Sequence, residues 1–219
     1  MDKDQTHQLE WRDGAVPVSI RFNDPFFSLE DGVAETRHVF LAGNDLPARF
    51  RPGFRIAELG FGTGLNFLVT LMAFRANGGQ GLLHFTSFEA FPMAAADRLR
   101  ALAAYPALPE GILTDDDIPQ ITGPDFTLTV IPGDARQTLP VWDGQADAWF
   151  LDGFSPAKNP QMWEPGLLMD VARHTAPGGT CASYTAAGHV RSALADAGFA
   201  VTRMPGHGRK RHMTTGRLP

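Results

Sequence analysis

Glu58-Leu59-Gly60-Phe61-Gly62-Thr63-Gly64-Leu65-Asn66 is the stretch that decides the fold. The run Arg55 to Leu59 before it is short, apolar and bounded by glycines, as a buried strand is. Leu65 to Ala76 after it has helix-forming composition and stops before Gly78-Gly79. Strand, glycine turn and helix in direct succession predict an α/β unit whose turn can approach a ligand closely. The alternation continues outward from this point. Leu83 to Glu89, Phe126 to Ile131, Asp147 to Leu151 and Thr180 to Tyr184 read as strands. Met93 to Ala104, Met162 to His174 (closing at Pro177-Gly178-Gly179) and His189 to Ala197 read as helices. Such alternation implies a mostly parallel, doubly wound sheet with right-handed crossovers. Ala200 to Met204 and His212 to Gly216 are expected to add a terminal antiparallel pair. Residues 1–50 break the pattern: Val16 to Phe22 and Phe26-Phe27 look like a β element, and Gly32 to Leu41 like a helix. They are expected to form an amino-terminal β extension packed on a main domain of residues 51–219.

The glycines run G-x-G-x-G, and not the G-x-G-x-x-G of dinucleotide binders, which disfavours a nicotinamide-dependent oxidoreductase. An acid, Glu58, precedes them, and another, Glu89, ends the next predicted strand, where a ribose-binding carboxylate belongs. S-adenosylmethionine fits this pattern, because it carries an ammonium end, a sulfonium and a ribose but no pyrophosphate. The expected fold is therefore the Rossmann-like one of S-adenosylmethionine-dependent methyltransferases. A helix cap at Glu58 and a surface carboxylate at Glu89 are the competing readings. Gly133-Asp134-Ala135 ends the third predicted strand, facing where an adenine would lie; Pro-Gly-Asp is also ordinary turn chemistry.

After the strand Asp147 to Leu151 comes Asp152-Gly153-Phe154-Ser155-Pro156-Ala157-Lys158-Asn159-Pro160. Two prolines and a glycine restrict this loop, so it can hold polar groups in register. Methyl transfer from a sulfonium is an in-line displacement that needs a neutral amine, whereas an alkyl amine near the lysine value of about 10.4 is mostly protonated. A carboxylate can orient such an amine and take its proton, and Asp152 is the candidate. Phe154, Trp163 and Tyr184 could stack on a base, although large aromatics more often fill cores. Ser155 lacks a nucleophile elbow, and the seven histidines show no metal-ligand spacing, so no metal is expected.

The 219 residues are 43% hydrophobic and 20% charged, an ordinary globular composition. One cysteine, Cys181, excludes an intrachain disulfide, and with no signal peptide or apolar span in view a cytoplasmic protein is expected. Net charge is −5, yet no acid follows Asp196, while Arg203, Arg209, Lys210, Arg211 and Arg217 do. Acids concentrate elsewhere, as at Asp115, Asp116 and Asp117. A positive surface on an acidic protein, or a merely solvated hairpin, accounts for this distribution.

The motifs E-L-G-F-G-T-G-L-N-F, S-F-E, D-A-W-F-L-D-G-F-S-P-A-K-N-P-Q-M-W, P-G-G-T and G-R-K-R-H-M together resemble the methyltransferase domain of the MnmC family and its free-standing relatives. F-N-D-P-F-F-S and E-T-R-H-V-F-L-A-G-N extend the resemblance over nearly the whole chain. The resemblance implies methylation, from S-adenosylmethionine, of the aminomethyl nitrogen on 5-aminomethyl-(2-thio)uridine at the tRNA wobble position, with S-adenosylhomocysteine as co-product. It implies a cofactor site lined by Glu58, Gly60, Phe61, Gly62, Gly64, Asn66, Glu89, Asp134 and Ala135. Asp152, with Phe154, Pro156, Lys158 and Asn159, would face the uridine, and Arg209, Lys210 and Arg211 would meet tRNA phosphate near the anticodon. The family's bifunctional members carry a second, FAD-dependent domain that this chain is expected to lack, so another enzyme would supply the aminomethyl substrate. The rivals are an N-methyltransferase of another amine and a non-catalytic protein that binds cofactor and tRNA.

Overall fold

The computed structural model describes residues 8–28, 31–115 and 118–219. His7, Asp116 and Asp117, singled out in the sequence, lie outside the described residues. The chain opens with β1 (Leu9–Arg12), β2 (Val16–Ser19) and β3 (Asp24–Pro25), a small antiparallel sheet in the order β1-β2-β3. Asp31 then caps α1 (Gly32–Glu35) by accepting the Ala34 N–H at 2.9 Å. The predicted helix to Leu41 continues, but as a π-helical segment Thr36–Leu41 followed by a 3-10 turn, Ala42–Asn44.

The main body alternates β4 (Phe54–Leu59), α2 (Leu65–Ala76), β5 (Leu83–Glu89), α3 (Ala95–Leu102), β6 (Gln120–Thr122), β7 (Phe126–Pro132) and α4 (Ala135–Thr138). It finishes with β8 (Ala146–Leu151), α5 (Pro165–Arg173), β9 (Thr175–Ser183), α6 (Gly188–Asp196), β10 (Ala200–Pro205) and β11 (His212–Arg217). The strands form one eight-stranded sheet, β10-β11-β9-β8-β4-β5-β7-β6, parallel from β9 to β7 and antiparallel at both edges. This is the Rossmann-like α/β fold with the terminal antiparallel pair that the alternation implied. β8 is buried at every residue, as a central parallel strand covered on both faces should be. Its side chains divide between two cores. Phe150 packs with Phe67, Phe85 and Phe54 on one face, and Trp149 and Leu151 with Phe88, Trp163 and Leu167 on the other.

One local expectation is corrected, and two strands go beyond the sequence reading. Pro177-Gly178-Gly179 is not a break between helix and strand: β9 starts at Thr175 and runs through it. The pairing of β8 with β9 slips between Ala146↔Thr175 and Ala148↔Thr180, so the Pro-Gly-Gly triplet is accommodated by a bulge. β1 and β6 were not foreseen, because each is a short edge strand whose half-exposed residues carry little hydrophobic pattern.

Candidate functional site

β4 lies between β5 and β8, so the chain winds outward in opposite directions from the β4/β8 boundary. The carboxyl ends of those two strands, paired at Leu59↔Leu151, therefore frame a crevice at a topological switch point. Gly60 follows one strand and Asp152 the other. At Gly60 (φ 91°) an added Cβ would strike the carbonyl oxygen of Asp152, so the two turns touch backbone to backbone. The crevice opens into a cavity of about 790 Å³, within the range of small-molecule sites. Of the sequence candidates, Gly60, Phe61, Gly62, Asn66, Glu89, Asp134 and Ala135 line it from the β4, β5 and β7 side. Asp152, Phe154, Asn159, Arg209 and Lys210 line it from the other. Glu58 is fully buried beneath, Gly64 caps α2, and Pro156, Lys158 and Arg211 are not among the lining residues.

The floor is acidic and bridged. The Asn66 side-chain amide donates to Glu58 Oε1 at 2.9 Å and to Asp152 Oδ2 at 2.7 Å. Its own carbonyl accepts from Thr36 Oγ1 at 2.7 Å, and Ser87 Oγ donates to Glu58 Oε2 at 2.7 Å. Burial pushes Glu58 well above the usual carboxylate range, and the neighbouring Asp152 pushes the same way. Burial also raises Asp152, to about 7, against the opposing pull of the Asn66 bond; Glu35 adds to the rise and Lys210 reduces it. Glu89 accepts the N–H of Gly62 at 2.9 Å and of Phe91 at 2.8 Å, which ties the glycine loop to β5. Burial raises it too, and these backbone bonds oppose the rise. Asp134 caps α4 and is chelated by the Arg136 guanidinium, with Nε at 3.0 Å from both oxygens; that partner holds its carboxyl low.

Side chains from distant elements fix the loop after β8. The Tyr184 hydroxyl donates to the Gly153 carbonyl at 2.7 Å, Trp163 Nε1 donates to the Phe154 carbonyl at 2.9 Å, and Ser155 N–H donates to Asp24 Oδ2 at 2.8 Å. Lys158 pairs with Asp24 at 2.9 Å, so it braces this loop. Phe154 stacks on Phe22 (centroids 4.7 Å apart, planes at 26°), whereas Trp163 is buried in the core. Asp24, Glu35, Thr36 and Ser87 were not foreseen as site residues, and Tyr184 was weighed only as a stacking ring, not as a donor to this loop. The quoted F-N-D-P-F-F-S and E-T-R-H motifs, which contain three of them, were the available signal. Acids beneath apolar walls suit a cationic ligand of S-adenosylmethionine's size. Among the described residues no group of His, Cys, Asp and Glu could hold a metal ion, and no helix is long and apolar enough to cross a membrane.

Residues 102–219 match the model of a family described as S-adenosyl-L-methionine-dependent methyltransferase. The chain is 43% identical over 233 residues to the tRNA 5-methylaminomethyl-2-thiouridine biosynthesis bifunctional protein MnmC of Stutzerimonas stutzeri (strain A1501), covering 99% of this chain and 35% of that protein. It is 45% identical over 225 residues to the protein of the same name from Chromobacterium violaceum, covering 95% of this chain and 34% of that one. The chain thus spans about a third of the length of the curated relatives it matches. Among solved structures, MNMC2 from Aquifex aeolicus superposes with a TM-score of 0.77 at 26% identity, over 99% of this chain and 72% of that one.

Proposed function

Because the chain belongs to the S-adenosyl-L-methionine-dependent methyltransferase family, we propose that it methylates the aminomethyl nitrogen of 5-aminomethyl-(2-thio)uridine at the tRNA wobble position. Bound S-adenosylmethionine supplies an electrophilic methyl group on a sulfonium. Gly60, Phe61, Gly62, Asn66 and Glu89 would hold it, with Asp134 and Ala135 at the adenine end. The Asp134 carboxylate is engaged by Arg136, so adenine recognition there requires sharing or releasing that pair. In this reading residues 51–219 are the main domain, and the described residues of the amino-terminal extension, among them Asp24, Glu35 and Thr36, wall the substrate side.

The observation that carries the reading is the placement of Asp152. One of its oxygens is held by Asn66, and among the described residues the other has no donor, at the edge of the cavity. That oxygen accepts a hydrogen bond from the target amine and orients its lone pair. With a pKa of about 7, the same carboxyl can take the proton that the amine must lose. Neither step needs a covalent intermediate, and alignment supplies much of the rate. Phe154 forms an apolar wall for the base, and Arg209 and Arg211 meet phosphate around the anticodon. A cytoplasmic location belongs to the same reading.

Nucleoside mass spectrometry tests it. Wild-type protein with labelled S-adenosylmethionine and tRNA bearing aminomethyluridine should add one methyl group. Asp152→Ala should bind S-adenosylmethionine normally in calorimetry and lose at least about 10²-fold in transfer. No added methyl overturns the substrate assignment, and undiminished turnover removes Asp152 from its role.

A further inference from the structure

Lys210 belongs to the basic run between β10 and β11, for which the family resemblance implied contact with RNA phosphate, but its ammonium folds back onto the protein. It lies 2.7 Å from Glu35 Oε1, at the end of α1, and 3.9 Å from the centre of the Tyr184 ring. Tyr184 in turn donates its hydroxyl to the Gly153 carbonyl, the residue after Asp152. Glu35, Tyr184, Lys210 and Asp152 all line the cavity. The same hairpin is fastened to the amino-terminal segment at two further points. His38 Nε2 stands 3.0 Å from the Pro205 carbonyl, and Arg217 pairs with Asp45 at 2.7 Å.

We propose that Lys210 is a positioning residue: a latch between α1 and the β10–β11 hairpin that seats Tyr184, and through it the Asp152 loop, while supplying positive charge beside an acidic floor. The inference rests on the proposed reaction and deepens it. A half-exposed ion pair of this kind adds little to stability, so its effect is on geometry and charge. The groups around Asp152 are Glu58 below it, Glu35 on α1, Glu89 at the end of β5, Asp24 on β3 and Tyr184 after β9. His207, Arg209 and Lys210 line the same cavity from the hairpin, and Arg136 lines it from the start of α4. Lys210 favours the ionised carboxylate, so its removal favours the protonated form and shifts the onset of activity to higher pH.

The test compares Lys210→Met and Lys210→Arg in the full chain, with Lys210→Gln in reserve should the methionine variant fold poorly. Lys210→Met should lose about tenfold in kcat, keep S-adenosylmethionine and tRNA affinities within about twofold, and move the acid limb of its pH profile up by roughly half a unit. Lys210→Arg should restore most of the rate and the limb. A fall in tRNA affinity with kcat and pH limb unchanged makes Lys210 a phosphate contact and overturns the latch, as does the absence of any effect. Should the wild-type protein transfer no methyl, the proposed reaction fails, and hydrogen exchange still judges the latch. Residues 206–211 and 153–155 must then exchange faster in Lys210→Met and Glu35→Gln than in the wild type, and unchanged exchange overturns it.

Discussion

Keeping Asp152 charged in the folded protein costs free energy, and that cost has a measurable pH signature. Burial lifts its carboxyl from the ordinary 3.8 to about 7. The folded state therefore binds the proton more tightly than the unfolded chain between those values, and stability falls as pH rises through that window. Above about 7 the loss is complete and amounts to no more than about 4 kcal/mol. Asp152→Asn removes the charge while keeping the shape. It should stabilise the protein at pH 8 more than at pH 5, by roughly 2 to 3 kcal/mol in urea unfolding. A gain equal at both pH values would mean that Asp152 titrates normally. The same variant should be inactive in methyl transfer, because an amide cannot take the amine's proton.

Where elements meet, the glycine loop separates packing from ligand binding. Gly60 (φ 91°) abuts the backbone of Asp152, whereas at Gly62 (φ 53°) an added Cβ would meet only the Phe26 ring edge at 3.0 Å. Both substitutions by alanine carry the cost of positive φ, about 1–2 kcal/mol. Gly60→Ala must also spread the ends of β4 and β8. It should cost at least about 2 kcal/mol more than Gly62→Ala and weaken S-adenosylmethionine binding, with denaturation and calorimetry as the readouts. Equal costs would place the strain elsewhere. This loop was legible because glycine punctuation and hydrophobic runs are local signals, and α2 came out at Leu65–Ala76 as read. Glu58, Glu89 and Asp152 were picked as candidates because the ends of parallel strands converge in space, and the structure brings them to one crevice. What escaped depends on approach between distant residues. Thr36 reaches Asn66 across 30 positions and Tyr184 reaches Gly153 across 31, and no periodicity encodes such pairs. Asp134 shows the opposite limit: its turn chemistry was visible, but not the Arg136 fork that occupies it.

Across the whole molecule, charge is divided in a way the net value of −5 conceals. Acids cluster under the cavity, where they suit a cationic cofactor and an amine, while Arg203, Arg209 and Arg211 stand exposed on the β10–β11 hairpin. The hairpin forms part of the cavity wall and is pinned to the amino-terminal segment, so its cations stand beside the cavity, where the proposed reaction needs a polyanion held. An acidic body limits how far that grip extends, since non-specific attraction to RNA is opposed by repulsion away from the hairpin. Each phosphate neutralised releases counterions and adds a little under one unit to the slope of log affinity against log salt. Reversing Arg209 and Arg211 to glutamate should therefore lower tRNA affinity at low salt and flatten that slope by about 1 to 2. Affinity for S-adenosylmethionine and turnover on the isolated modified nucleoside, which has no flanking phosphates, should change little. Binding isotherms from 50 to 200 mM salt, about the range over which such contacts are screened, make the comparison. A slope unchanged by the double reversal would move the RNA-binding face off the hairpin.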